Sequence, residues 1–179
     1  ATELIIANSD SGGNNFSYWR SKTVDPDNLY EDAKIRFLLF DTESGQNLYM
    51  DDTPETNLFE RSIFVGGWIY SLFNKLMMDC PQFREDFVRT YFDLCNENFS
   101  AEKVLKRLDE LKKMYAFPMA ETIDRFDYFS FVDVNTPHLR NMECFEHEFG
   151  KLYEFWQVRD NIAKKQLTDY LGDKVSSET

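Results

Sequence analysis

The chain changes its pattern of hydrophobic and polar residues near Gly66. Before that point, short apolar runs alternate with polar turns. The run Lys34 to Phe40 is apolar on both sides of the chain, which predicts a buried β-strand, and Phe16 to Arg20 predicts a shorter strand. Leu4 to Ala7 is too short to distinguish a strand from the end of a helix. Gln46 to Arg61 has no period, so we expect irregular structure there.

After Gly66, apolar residues recur at the spacing of three and four that is typical of amphipathic helices. Cys80-Pro81 predicts the end of one helix and the start of the next. Ser100 is the predicted N-cap of a third helix. Pro118 should open a shorter helical piece that ends at Phe126.

A long last helix is predicted to begin at Thr136-Pro137 and to stop at Gly172. Its apolar stripe consists of Met142, Phe145, Phe149, Leu152, Trp156, Ala163 and Leu167. The large aromatic side chains of this stripe suit packing onto a globular core better than a coiled coil. The predicted fold class is therefore α+β but mainly helical, with a small strand-containing front end before a helical bundle.

Composition narrows the range of partners. With 179 residues, of which 42% are hydrophobic, the chain forms one domain or the larger part of one. The net charge of −12 argues against nucleic acid or an anionic membrane surface as the main partner. The same charge would repel a polyphosphate unless a metal ion bridged it. No apolar run approaches the roughly 20 residues that a membrane span needs.

The three cysteines, Cys80, Cys95 and Cys144, include no Cys-x-x-Cys spacing. Their predicted role is that of small buried thiols, although one disulfide remains open.

Two polar stretches carry the candidate chemistry. In the first, Asp10 precedes Asn15 by five positions, across two glycines. In the second, the apolar run ends at Asp41 and Glu43, in a turn that contains Gly45. A carboxylate and a carboxamide on one tight loop, with acids at a strand end, can hold a divalent metal and orient a hydroxyl. By itself, an Asp in the position of Asp10 is more often a structural turn former than a catalytic residue, and an Asp after an apolar strand is often a cap or a turn residue.

The order of these motifs resembles a known family. Asn8 to Asn15 reads Asn-x-Asp-x-x-x-Asn-Asn, and Phe16 to Arg20 is an aromatic-rich segment that ends in a basic residue. Asp41 to Gly45 follows a strand, and further matching segments are Pro81 to Phe87 and Ile123 to Phe126. In this order they resemble the catalytic half of the spore-coat protein H (CotH-like) kinases, a branch of the atypical protein kinases. The resemblance covers most of the chain.

The resemblance implies an architecture. Residues 1–179 would be the C-terminal part of one kinase-like domain and would resemble the helical C-terminal lobe of an atypical kinase fold. The catalytic and metal loops would lie in residues 1–65 and the helical bundle in 66–175. The N-terminal lobe, with the lysine that clamps the nucleotide, is expected upstream of Ala1.

The resemblance also implies an activity: transfer of phosphate from ATP, with Mg²⁺ or Mn²⁺, to Ser or Thr of a protein. Asp10 would be the catalytic base. Asn15 and Asp41 would be metal ligands, and Glu43 would be a secondary ligand. The implied setting is a spore coat or the outside of the cell.

Two departures from the family pattern keep a second function open. The family usually has Asp where this chain has Glu43, and it favours Trp-Pro where this chain has Ser11-Gly12. The alternative is a non-catalytic kinase-like scaffold that docks a protein partner through its acidic or aromatic surface. Arg20, Lys34 and Arg36 could face phosphate, but a solvated face or a structural ion pair is the expected role of each.

Two other metal sites receive weak support from the sequence. Asp41, Glu43, Gly45 and Asn47 echo a calcium loop, but the glycine falls one place early and no helix precedes it. His147 with Glu143 could contribute to a zinc site, but no third ligand is apparent.

Overall fold

The structure, a computed structural model, describes residues 1–11, 15–48, 53–60, 67–126 and 142–176. Its elements in chain order are α1 (Thr2–Ile5), β1 (Ser17–Trp19), β2 (Arg36–Leu38), α2 (Trp68–Asp79), α3 (Pro81–Asp93), a π-helical turn (Leu94–Asn98), α4 (Ala101–Phe126) and α5 (Met142–Ser176). The prediction of a mainly helical α+β chain with a small strand-containing front end is confirmed. Within the described residues, no helix combines the length and the apolar content that a membrane span requires.

The two strands form an antiparallel hairpin in which Tyr18 lies opposite Phe37. The hairpin confirms both predicted strands, but the predicted burial of the second strand is wrong. Phe37 and Leu38 are each 50% exposed, because within the described residues β2 pairs only with β1, and a two-stranded sheet cannot cover both of its faces. Phe16, just before β1, packs against Phe37 with ring centroids 5.0 Å apart.

The predicted break between the first two long helices is confirmed. Cys80 has an extended backbone and separates α2 from α3, and Pro81 occupies the first turn of α3, where its missing N–H costs nothing. The two helices pack through aromatic side chains, with the rings of Phe73 and Phe87 meeting edge to face at 4.9 Å.

Two predicted helix boundaries are wrong. Pro118 lies inside the continuous helix α4 and does not open a separate piece. A proline removes one backbone hydrogen bond, but the helix continues when the bonds on either side persist. Helix α5 passes through Gly172 and reaches Ser176, since a glycine lowers helix stability by only about 1 kcal/mol. The predicted start at Thr136-Pro137 lies outside the described residues.

The hydrophobic core is organised around α5, which contacts α1, α3, α4 and the π-helical turn. Its fully buried side chains include Phe155, Trp156 and Leu167, and they pack with Ile5 of α1 and Tyr91 of α3. Most of the predicted α5 stripe is therefore core, although Met142 at its start is exposed.

All three cysteines are unpaired thiols. Cys95 and Cys144 are buried, and burial raises the pKa of each thiol to about 11. The prediction of buried thiols is thus confirmed for these two residues, while Cys80 is half-buried.

Candidate functional site

The two polar stretches lie against each other. The Ser9 amide donates a hydrogen bond to the Ser44 carbonyl over 3.1 Å, and the Gln46 amide donates to the Ile6 carbonyl over 2.9 Å. Gly45, between these two bonds, is buried. Residues 6–9 and 44–46 are therefore paired through their backbones. We call residues 6–11 loop 1 and residues 41–48 loop 2.

Asn8 connects the two loops from the inside. It is 1% exposed, and its Nδ2 donates to the Asp41 carbonyl at 3.4 Å and to Oε2 of Glu3 at 2.8 Å. Its Oδ1 accepts a hydrogen bond from the Asp10 amide at 3.1 Å. Burial raises the pKa of Glu3, and the hydrogen bond from Asn8 opposes that rise. One buried carboxamide thus fixes the backbone at both candidate acids, Asp10 and Asp41.

Asp10 is held directly by loop 2. The Ser44 hydroxyl donates to Oδ2 of Asp10 over 3.0 Å, while the Ser9 hydroxyl donates to the Ser44 carbonyl over 3.1 Å. These two side-chain bonds join residues that are 34 and 35 positions apart in the sequence. The half-buried Asp10 carboxylate therefore has one oxygen committed to Ser44 and a restricted orientation.

The other predicted site residues flank this contact. Asp41 and Glu43 are exposed on loop 2, and Asn15 is half-buried just beyond loop 1. Among the described residues, no hydrogen bond or ion pair engages either the Asp41 or the Glu43 carboxylate. No group of three or more His, Cys, Asp or Glu side chains within the described ranges is placed to hold a metal ion. The roles of Asp10, Asn15, Asp41 and Glu43 stay predictions.

Unusual backbone conformations concentrate at the two loops. Six described residues other than glycine have a positive φ, and five of them lie in or beside the loops: Ala7, Asn15, Asp41, Gln46 and Asn47, with φ between 51° and 68°. This region is costly for residues with a side chain, least so for Asn and Asp. Such strain persists only where surrounding contacts impose it, and it gathers at functional sites.

A largely apolar cleft of about 370 Å³ adjoins loop 1. Ser11 and Asn15 lie on its wall, together with Phe37 of the hairpin and Phe73 and Phe87 of the α2–α3 pair. Asp10 itself does not line this cleft, but it precedes Ser11, which does.

The basic residues of the hairpin play a structural part. Arg36 binds both oxygens of Asp32, at 2.8 and 3.0 Å, and its guanidinium lies over the rings of Trp19 and Tyr30. These bonds hold the pKa of Asp32 well below its usual range. The expectation of a structural ion pair is confirmed for Arg36, and Lys34 lies 3.5 Å from the same carboxylate.

Helix α5 supplies contacts that the sequence analysis missed. The fully buried Arg159 donates to the Leu4 and Ile5 carbonyls, directly before loop 1, and Trp156 donates from Nε1 to Gln46 of loop 2. The sequence does carry a signal for Arg159: it is a charged residue on the apolar face of the predicted helix, between Trp156 and Ala163. The roles of Asn8 and Ser44 were equally missed, although both stand inside the quoted motifs.

Comparison with known proteins identifies the family. The family model described as CotH kinase protein matches residues 1–162. No curated protein and no solved structure matches the chain. The matched range contains both loops, the hairpin and α5 as far as Trp156 and Arg159. The chain therefore belongs to the CotH kinase family.

Proposed function

We propose that the intact protein transfers the γ-phosphoryl group of ATP, with Mg²⁺ or Mn²⁺, to a Ser or Thr hydroxyl of a protein substrate. The observation that carries the proposal is the contact between Asp10 and Ser44, which joins the two loops at the candidate base. Family membership supports the same conclusion. Phosphoryl transfer requires positioning and charge stabilisation more than covalent chemistry, and two loops held in register suit that task.

Asp10 would align the acceptor hydroxyl and take its proton. Ser44 occupies Oδ2, so Oδ1 is the oxygen that we assign to the substrate. The Asn8 bond to the Asp10 amide fixes the backbone from which this carboxylate projects. A pre-oriented base contributes to the rate because the substrate does not have to wait for it to turn.

Asn15 and Asp41 would hold the divalent cation, with Glu43 as a secondary ligand. Carboxylate and amide oxygens are the ligand types that Mg²⁺ and Mn²⁺ prefer, and phosphate oxygens complete such sites in nucleotide enzymes. When bound, the cation neutralises charge on the transferred phosphoryl group. Asp41 is exposed and engages no described side chain, so its carboxylate is accessible to a ligand.

The proposed setting follows from the family: a spore coat or the outside of the cell. The proposed architecture is the helical lobe of a kinase-like domain.

The competing function is a non-catalytic scaffold that docks a protein partner. Large apolar side chains on and beside the hairpin are exposed, among them Tyr18 and Leu39 at 57% each. Such exposed apolar surface is typical of a docking site for a protein partner and favours the scaffold function.

The test uses the full-length protein with radiolabelled ATP, Mg²⁺ or Mn²⁺, and a Ser/Thr peptide library. Asp10→Asn should abolish transfer while leaving the fold intact, and Asp41→Asn should abolish metal-dependent ATP binding. Asp27→Asn, in an exposed turn, is the matched control and should behave as wild type. ATP binding by calorimetry without transfer to any peptide would favour the scaffold instead.

A further inference from the structure

We propose that α5 positions the two loops relative to each other, through Arg159 and Trp156 as positioning residues. The kinetic consequence of this inference rests on the proposed phosphotransfer function. The structural claim, that α5 holds the two loops, depends only on the hydrogen bonds described below.

Arg159 holds the chain that leads into loop 1. Its Nε donates to the Ile5 carbonyl at 2.6 Å and its Nη2 donates to the Leu4 carbonyl at 2.7 Å. These two carbonyls lie at the end of α1, where the helix supplies few N–H partners, and the Leu4 carbonyl also accepts a hydrogen bond from the Ala7 amide at 3.4 Å. Nη1 donates to the carbonyls of Pro54 and Thr56, at 2.5 and 3.2 Å, so the same side chain also ties down the segment after loop 2.

A buried arginine at this place is costly for the fold. Arg159 is 0% exposed, and no ion pair with a carboxylate is present in the described part of the chain. Burial lowers the pKa of its guanidinium. Removing such a charge from water costs several kcal/mol, and an apolar side chain of similar size is often as stable. What an apolar residue could not do is bind four backbone carbonyls from two segments at once.

Trp156, about one helical turn before Arg159, holds loop 2. Its Nε1 donates to Oε1 of Gln46 at 3.1 Å, while its ring stacks on Phe99 at 5.5 Å. The amide of Gln46 in turn donates to the Ile6 carbonyl of loop 1. Lys151, earlier on the same helix, donates to the Leu48 carbonyl at 3.3 Å.

Both loops are therefore held by hydrogen bonds from the same helix, α5. Arg159 fixes the position of the chain that enters loop 1, and Trp156 fixes the position of Gln46 in loop 2. Because Asp10 and Asp41 lie on different loops, their separation depends on both contacts. A misplacement of about 1 Å at a reacting group can lower the rate by about a hundredfold.

The experiment uses Trp156→Phe and Arg159→Lys in the full-length protein. Trp156→Phe removes one donor and keeps an aromatic ring, and Arg159→Lys keeps the charge but cannot reach four carbonyls. Tyr153→Phe is the matched control, because Tyr153 lies on α5 but donates its hydroxyl to Asp109 of α4. Wild type, the two variants and the control are compared by peptide phosphorylation and by amide hydrogen exchange.

For both variants we expect kcat to fall about tenfold while KM for ATP changes less than about twofold, since geometry and not binding is altered. Exchange of the Ser9 and Gln46 amides should accelerate about tenfold, because these bonds join the loops. Gln46→Met should reproduce the effect of Trp156→Phe. The double variant Trp156→Phe/Gln46→Met should lower kcat and accelerate exchange no more than either single variant does, because both changes remove the same hydrogen bond. Tyr153→Phe should match wild type in both measurements.

Wild-type exchange at Ser9 and Gln46 in both variants would overturn the inference, as would faster exchange with an unchanged kcat. If wild type transfers no phosphate to any peptide, the proposed function fails by itself. The exchange result then still decides whether α5 holds the loops.

Discussion

The backbone of Gly45 lies so close to Ile6 that a β-carbon added to Gly45 would be 2.5 Å from the Ile6 carbonyl oxygen. The same added atom would be 3.1 Å from the α-carbon of Asn8. No flexible side chain is involved at either position, so relief would require the two loops to separate. Glycine at this position is what lets loop 2 approach loop 1 closely enough for Ser44 to reach Asp10.

Gly45→Ala should therefore lower both stability and activity. We expect the free energy of unfolding to fall by about 1–3 kcal/mol, the range for steric overpacking of a buried site. Urea unfolding followed by circular dichroism measures this change. Gly172→Ala is the matched control, because its added β-carbon meets nothing within 4 Å inside α5, and it should raise stability by about 0.5–1 kcal/mol. Equal effects of the two substitutions would contradict the close approach.

Two buried tyrosines, Tyr91 on α3 and Tyr170 on α5, should respond differently to loss of the hydroxyl. Tyr91 is 0% exposed, and its hydroxyl has no hydrogen-bond partner among the described residues. Tyr170 donates to Oδ1 of Asn74 at 2.7 Å. Tyr91→Phe should leave the free energy of unfolding unchanged or raise it by up to about 1 kcal/mol, whereas Tyr170→Phe should lower it by about 1 kcal/mol. Thermal unfolding of the two variants beside wild type checks the order.

The cysteines should differ in reactivity. The raised pKa of Cys95 and Cys144, about 11 for each, keeps both thiols protonated at pH 8, and the thiolate is the reactive form. Iodoacetamide at pH 8 should therefore modify Cys80 first in the folded protein and all three cysteines in urea. Mass spectrometry of the alkylated peptides identifies the sites. Prompt modification of Cys95 would show that the core around the π-helical turn opens readily.

The hairpin should lose order in acid. The folded pKa of Asp32 lies below its unfolded value because Arg36 binds the charged carboxylate. Its stabilising contribution is therefore present above about pH 4 and is lost as pH falls through the lower folded pKa. The indole NMR signal of Trp19, which lies over Arg36, should report this change. In Asp32→Asn the same signal should already be altered at neutral pH and should no longer follow this titration.

Much of the helical architecture could be predicted from local pattern. The break at Cys80-Pro81, the helix after Ser100 and most of the α5 stripe follow from spacing and from backbone restrictions within a few residues. The wrong boundaries at Pro118 and Gly172 have one cause. Each residue weakens a helix locally, but whether the helix ends there depends on the packing of the turns on either side.

The sequence by itself determined which residues form the two polar turns and which faces of the helices are apolar, because both depend on neighbours in the chain. Only the tertiary structure decided that the second strand is exposed, since burial depends on what packs against a sheet. It also decided that Ser44 binds Asp10 and that Arg159 binds the carbonyls of Leu4 and Ile5. These partners are separated by 34 and by about 155 residues, and no local propensity links groups that meet only when the whole core has formed.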